Sequence, residues 1–315
     1  MSPDQLILSP GAALGVIAFL LSLLPAGFFV WFWYLRRRER ALSAKVVAGA
    51  FITGILLVIP AFWLEDMAGR VWSVTFPQTV HYYAGAPIPL FDWRDVVFPA
   101  IGTFLIVAVV EEGLRYGLLR AWMRFAQKSI DQIFDGLIIG VAVGVGFATL
   151  ENTLYFLNLF REGSYETLVF VFFLRFLVST LAHISFSGTM GVLLARDTFE
   201  FLAGRRYALV AFFVPWFVHG LFDWTLAIHL GMYAVIVLLP MLLALVYWSG
   251  QSETFVIHRR GGKLLAAGEV EPSEEERNLT KLIKEMDSPW NKNAPWLSQA
   301  SVNRRLRALR SYEKK

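Results

Sequence analysis

Residues 133–159 read IFDGLIIGVAVGVGFATLENTLYFLNL, and nearly every position up to Leu150 is apolar or glycine. At 1.5 Å per residue this stretch is long enough, as a helix, to cross roughly 30 Å of hydrocarbon. Gly136, Gly140 and Gly144 recur every four residues, so they share one helical face on which a neighbouring helix can approach closely. The stretch therefore predicts a tightly packed membrane helix, with an acid, Glu151, in its second half.

The composition of the whole chain agrees with a membrane protein. Of the 315 residues, 56% are hydrophobic, 15% are aromatic and only 17% are charged. A soluble domain is considerably more charged than this. The chain has no cysteine, which excludes disulfides, thiolate nucleophiles and cysteine zinc sites, so any metal would need His, Glu or Asp ligands.

Seven apolar stretches are long enough to span a bilayer, and we therefore expect an all-α polytopic membrane helix bundle of about seven transmembrane helices. Their predicted limits are 11–35, 44–64, 96–118, 133–159, 167–195, 207–228 and 232–249. This divides the chain into two N-terminal helices with an extracytoplasmic loop (1–95), a core of transmembrane helices (96–249) and a polar cytoplasmic tail (250–315).

Basic residues predict the orientation of the bundle. The first span has no Lys or Arg before it and is followed by the basic run at 36–40, which indicates a retained anchor with its N-terminus outside. Segments predicted to lie inside carry most of the other arginines, whereas the outside loops offer only Arg70, Arg94 and Arg161. We expect an integral membrane protein with the N-terminus outside and the C-terminus cytoplasmic.

The tail, from residue 250 onward, is rich in charge. Ser273 followed by three glutamates predicts a capped helix start, and Arg304–Arg310 interleaves basic residues with leucines. That last stretch would suit nucleic acid or anionic lipid. Because it follows a membrane domain, we favour lipid or solvent and expect no nucleic-acid partner.

Ionisable residues recur inside four of the predicted spans. Each such residue at the centre of a membrane helix costs roughly 2.5–3.5 kcal/mol on insertion scales, so their presence points to function. We expect them to face one another in the bundle interior. They are Glu111, Glu112, Arg115, Glu151, Arg175, His183, His219 and Asp223.

Within the third span, Arg115 follows Glu111 by four residues and Glu112 by three, so it can pair with either. One carboxylate is then neutralised and the second is left for general acid–base work. A structural ion pair near the cytoplasmic interface, with Arg115 reaching outward, is the alternative.

The other motifs supply further donors and acceptors. Glu151 has Asn152 beside it and Tyr155 one turn on, and could orient a water or a carbonyl, or else be buried only for packing. His219 and Asp223 lie four apart, so the Asp can orient the imidazole. Together with His183, these groups could bind zinc or activate water without a metal.

The order of these motifs on successive spans resembles the PrsW family of intramembrane proteases, and more distantly the type II CAAX prenyl endopeptidases. The resemblance covers residues 96–228. It rests on Glu111-Glu112, on Phe147 with Glu151-Asn152 and Tyr155, on Arg175 with His183, and on His219-Gly-Leu-Phe-Asp223. The Glu-Glu motif of the family usually ends in Lys, where this chain has Arg115. The CAAX relatives carry His at the position of Glu151 and Asn at that of Asp223, which makes a prenylated substrate less expected than a transmembrane protein.

The resemblance implies an intramembrane endopeptidase that acts on membrane-anchored proteins such as anti-sigma factors. It also implies a bacterial cytoplasmic membrane as the location. The expected catalytic residues are Glu111, Glu112, Glu151, His183, His219 and Asp223, supported by Arg115, Asn152, Tyr155 and Arg175. For a metal-dependent mechanism, the expected zinc ligands are His183, His219 and Glu151. A transporter or channel using the same buried charges, or a non-catalytic scaffold of the same fold, are the alternatives.

Overall fold

The computed structural model describes residues 10–32, 42–75, 93–126, 130, 133–163, 165–199 and 206–264. This part of the chain is almost entirely helical and contains no strand. The α-helices are α1 (Pro10–Val30), α2 (Ala44–Thr75), α3 (Arg94–Gly102), α4 (Val109–Phe125), α5 (Ile133–Arg161), α6 (Tyr165–Leu174), α7 (Thr180–Phe199), α8 (Arg206–Ala227) and α9 (Gly231–Leu264).

Seven helical segments are long and apolar enough to cross a membrane, which confirms the predicted helix bundle. The third segment joins α3 and α4 through a π-helical turn at Thr103–Ala108, and the fifth joins α6 and α7 through another at Arg175–Ser179. We call these continuous segments the third and fifth spans. A π turn holds one more residue than an α turn, and such turns often occur at functional sites.

Two helices extend beyond the predicted limits. α2 continues to Thr75, well past residue 64, and α9 continues to Leu264, past residue 249. Hydropathy marks where the apolar residues end, but helical hydrogen bonding continues until a breaker intervenes. In α2 an ion pair one turn apart, between Arg70 Nε and Asp66 Oδ2 at 2.9 Å, supports the polar extension. The predicted helix start at Ser273 and the basic stretch at 304–310 lie outside the described residues.

The glycines of α5 allow this helix to pack at the centre of the bundle. A Cβ on Gly144 would lie 2.5 Å from the backbone oxygen of His183, and Cβ atoms on Gly136 and Gly140 would collide with backbone oxygens of Gly191 and Ser187. The predicted close helix contact is thus confirmed, and its partner is α7. On another face of α5, Gly146 meets the backbone of Phe51 in α2. These contacts fix the heights of α5, α7 and α2 relative to one another.

Candidate active site

The third span provides the centre of the acidic cluster. Arg115, whose side chain is completely buried, contacts both preceding glutamates. Its Nη2 donates to Glu111 Oε2 and lies 3.0 Å from Glu112 Oε1. The guanidinium carbon stands 4.5 Å from the centre of the Phe147 ring on α5, so an aromatic face covers the cation. Arg115 therefore points into the bundle and joins both acids of its own helix.

α8 adds a histidine between two acids. His219 Nδ1 lies 2.8 Å from Glu112 Oε1, and its Nε2 lies 3.1 Å from Asp223 Oδ2 and 3.9 Å from Glu111 Oε2. The ring stacks on Phe186 of α7, with centroids 4.8 Å apart. Since carboxylates face both ring nitrogens, the two short contacts are both hydrogen bonds only when the ring carries two protons or one carboxyl is protonated.

His183 of α7 is held in one tautomer by its neighbours. Arg115 Nη1 lies 3.1 Å from His183 Nδ1, and a guanidinium can only donate, so Nδ1 is the acceptor. The other nitrogen, Nε2, then carries the proton and donates to Glu151 Oε2 at 2.6 Å. His183 thus connects the acids of the third span to Glu151 on α5.

The π turn of the fifth span supplies the second arginine. Arg175 Nη2 lies 3.0 Å from Glu151 Oε2, and its Nε donates to Asn152 Oδ1 at 2.5 Å. Asn152 Nδ2 donates to Thr180 Oγ1, whose hydroxyl donates to the backbone oxygen of Arg175. Tyr155, expected as a hydrogen-bonding phenol, instead lies under the guanidinium, 3.8 Å from ring centre to guanidinium carbon.

These contacts form one network, which we call the acid–histidine cluster. It runs from Asp223 through His219, the third-span acids and His183 to Glu151 and the fifth span. All ten residues predicted for the site belong to it or, in the case of Tyr155, pack against it. Glu112 and Arg115 have no exposed side-chain surface, whereas the side chains of Glu151 and Asp223 are 27% and 26% exposed. The cluster therefore opens toward the end of the bundle at which α5 and α8 finish, the end predicted to be extracytoplasmic.

Sequence reasoning missed one further acid, Glu65 of α2. The helix buries a stripe of side chains that ends with Val58 and Ala61, and Glu65 continues it one turn further. Glu65 is partly buried, its Oε1 is enclosed with no hydrogen-bond donor among the described residues, and its charge interacts with five members of the cluster. Those members are Glu111, Arg115, Glu151, His219 and Asp223. The continued spacing was the available signal, but Glu65 fell just beyond the predicted span.

The donors of the cluster suit zinc by type, because imidazole nitrogens and carboxylate oxygens are its usual ligands in a chain without cysteine. The rings of His183 and His219 have centroids 6.2 Å apart. With metal–nitrogen bonds of about 2.0–2.1 Å, two imidazoles on one tetrahedral zinc ion have centroids roughly 5 Å apart, so binding by both rings would require them to move about 1 Å closer. Within the described residues, no three of these side chains already stand in a metal-binding arrangement.

Comparison with known proteins identifies a family and several related sequences. A family model described as PrsW family intramembrane metalloprotease matches residues 43–249. The protein named Protease PrsW of Geobacillus kaustophilus is 28% identical over 195 residues, which are 62% of this chain and 73% of that protein. Its namesake in Shouchella clausii is 26% identical over 231 residues, covering 73% of this chain and 93% of that protein.

A third Protease PrsW, from Bacillus subtilis, is 29% identical over 202 residues, or 62% of this chain and 76% of that protein. No solved structure matches the chain. The family model extends from α2 into α9 and so contains the whole acid–histidine cluster together with Glu65. The chain therefore belongs to the PrsW family of intramembrane metalloproteases, and it is an integral membrane peptidase.

Proposed function

We propose that the acid–histidine cluster hydrolyses a peptide bond of a membrane-anchored protein, such as a regulator of the anti-sigma-factor kind. The observation that supports this is the continuous buried contact from Glu112 through His219 to Asp223, and through Arg115 and His183 to Glu151. Burying charged groups in a membrane costs considerable free energy, so a network of this kind is expected to serve a function. Hydrolysis needs proton transfer to and from water, which acids and histidines in contact can provide.

Glu111 is the proposed general base. Its side chain is 9% exposed, whereas that of Glu112 is fully enclosed and its Oε1 is already in contact with His219 and Arg115. Glu111 would accept a proton from the attacking water, whose oxygen forms the new bond to the scissile carbonyl carbon. The same proton would then pass to the leaving amine as the carbon–nitrogen bond breaks.

The histidines are proposed to orient the water and the carbonyl. Glu112 contacts Nδ1 of His219, and Arg115 contacts Nδ1 of His183, so neither ring is free to turn. For the zinc ion that the family description implies, the proposed ligands are His183, His219 and Glu151. Zinc on Nε2 of His183 would take the place of the proton there, and Arg115 would have to release Nδ1, which would then carry the proton. When bound there, zinc would activate a water molecule and polarise the substrate carbonyl.

A cleavage assay tests the proposal. The full chain is reconstituted in liposomes with a single-span substrate, and wild type is compared with Glu111→Gln, Glu112→Gln and His219→Ala. We expect losses of at least about 100-fold, as for removal of a catalytic acid or base. Glu162→Gln is the matched control, because Glu162 is exposed at the end of α5 and bonds only to Asn158 in the described contacts.

Metal content, measured on the same samples, separates the two mechanisms. A zinc ion that is retained by wild type and lost in His219→Ala would favour the metal-dependent form. Cleavage that persists in all three site variants would remove these residues from catalysis. If ion flux through the liposomes persisted in wild type while no substrate was cut, a transport function would replace the proposal.

A further inference from the structure

Three residues of α8, spaced four apart, contact the first half of the third span. Trp216 Nε1 donates to the backbone oxygen of Phe104 at 2.8 Å, and Trp224 Nε1 donates to that of Val96, also at 2.8 Å. Between them lies Gly220, where a Cβ would come within 2.7 Å of Phe104 Cε1. We call Trp216, Gly220 and Trp224 the tryptophan clamp.

The clamp joins the two helices at two heights and fills the space between them. The Phe104 and Trp216 rings meet edge to face, with centroids 5.9 Å apart and planes at 76°. Both indole N–H groups are partly buried, and a buried N–H without an acceptor is destabilising, so each tryptophan favours the one arrangement that supplies its carbonyl. Phe104 itself lies in the π turn, where the helix winding is wider than in a regular α-helix.

The clamp lies directly beside the residues of the site. Trp216 precedes His219 by three residues, and Gly220 precedes Asp223 by three, so both pairs occupy neighbouring faces of α8. On the third span, the π turn ends at Ala108, one turn before Glu112. Sliding α8 by one residue would move its side chains by about 1.5 Å along the axis and rotate them by about 100°. Such a slip would break the 2.8 Å contact between His219 Nδ1 and Glu112 Oε1.

We propose that Trp216 and Trp224 are positioning residues that hold α8 in register with the third span and so keep His219 on Glu112. Neither indole hydrogen-bonds to a member of the acid–histidine cluster, and both act through the backbone of the neighbouring helix. The proposal rests on the proposed function for its catalytic consequence. The register itself can be tested without any cleavage.

The test compares Trp216→Phe, Trp224→Phe and the double variant in the full chain. Phenylalanine keeps an aromatic ring but has no N–H. The matched control is Trp63→Phe, since the Trp63 side chain on α2 is 61% exposed and therefore faces lipid. Misplacing a catalytic group by about 1 Å can cost about 100-fold in rate, so we expect kcat of the double variant to fall by about 10- to 100-fold while KM changes less than about twofold.

A second readout follows the contact itself. The chain has only five histidines, so selective nitrogen-15 labelling in detergent micelles resolves the imidazole N–H signals by NMR. The N–H of His219 facing Glu112, assigned by its loss in His219→Ala, should shift or disappear in the double variant and stay in place in Trp63→Phe. If the double variant does not fold, each single variant still removes one of the two bonds and is compared in the same way.

The outcomes are distinct. A lower kcat with a displaced His219 signal supports the clamp. An unchanged His219 signal in a folded double variant overturns it, whatever the activity. If wild type cuts no membrane-anchored substrate, the proposed function fails, while the NMR comparison still decides whether the tryptophans position His219.

Discussion

Arg115 links three members of the acid–histidine cluster. It contacts Glu111 and Glu112 through Nη2 and His183 through Nη1 of one planar group. A lysine at this position would bring the same charge but only one nitrogen. Arg115 therefore reaches His183 through its second terminal nitrogen, whereas a lysine would have to contact the two acids and the histidine with one nitrogen.

We expect Arg115→Lys to keep measurable cleavage, reduced by about 10-fold, and Arg115→Gln to lose it. Removing one partner of a buried ion pair leaves an uncompensated charge and costs about 3–5 kcal/mol, so the Gln variant should also unfold at a lower temperature. Cleavage rates and thermal unfolding in detergent measure both effects. Equal cleavage rates and unfolding temperatures of the two variants would show that neither activity nor stability depends on the charge of residue 115.

Glu65 and Asp66 offer a comparison between neighbouring acids. Asp66 is exposed and paired with Arg70, while Glu65 turns toward the cluster with its Oε1 enclosed. We expect Glu65→Gln to change the cleavage rate by about 10-fold or more, because it removes a charge that interacts with five cluster members. Asp66→Asn should leave the rate within about twofold. Similar rates for the two variants would place Glu65 outside the site.

At the scale of helices, the contact between α5 and α7 depends on glycine. Gly140→Ala would drive a methyl group into the backbone of Ser187, and overpacking of this kind typically costs about 1–3 kcal/mol. The control is Gly117→Ala in α4, where a Cβ would meet nothing within 4 Å. This change should be neutral or stabilise by up to about 1 kcal/mol through helix propensity. Equilibrium unfolding in mixed micelles gives both values, and equal stabilities would argue against the close packing.

The limits of sequence reasoning are also clearest at this scale. Apolar length predicted the spans, and the four-residue spacing of Gly136, Gly140 and Gly144 predicted a close neighbour, because both properties are local. The π turns at Thr103–Ala108 and Arg175–Ser179 left no such signal. A π turn is stabilised by its surroundings, here by Trp216 at Phe104 and by Thr180 at Arg175. The Trp216 contact joins residues that are distant in the sequence, and the Thr180 contact uses a hydroxyl that many helices carry. Neither contact could therefore be predicted from the sequence.

For the whole molecule, the family match begins at residue 43 and leaves α1 outside. α1 nevertheless packs on the half of α5 that carries the site, with Ala18 buried against Phe156 and Phe160. Phe29 of α1 also stacks on Phe176, the residue after Arg175, with centroids 5.9 Å apart. α1 is therefore part of the bundle that supports Glu151 and Arg175.

We expect deletion of residues 1–41 to lower the unfolding temperature and the cleavage rate together, because it uncovers two buried aromatic side chains worth about 1.5–3 kcal/mol each on burial. Deletion of residues 265–315, which follow α9, serves as the comparison and should change neither quantity. Thermal unfolding and the liposome assay measure the stability and the cleavage rate of both shortened chains. A stable, fully active protein without α1 would contradict its supporting role.

The placement of the two arginines has a consequence for how the chain enters the bilayer during synthesis. Glu111 and Glu112 share a helix with Arg115, so the ribosome delivers these acids together with their counter-charge. Glu151 emerges alone, but Arg175 follows on the very next span, and the two can enter as one helical hairpin. Only His219 and Asp223 arrive later, on α8, when the acids they meet are already enclosed. The order of translation thus limits how long Glu111, Glu112 and Glu151 wait in lipid without a partner.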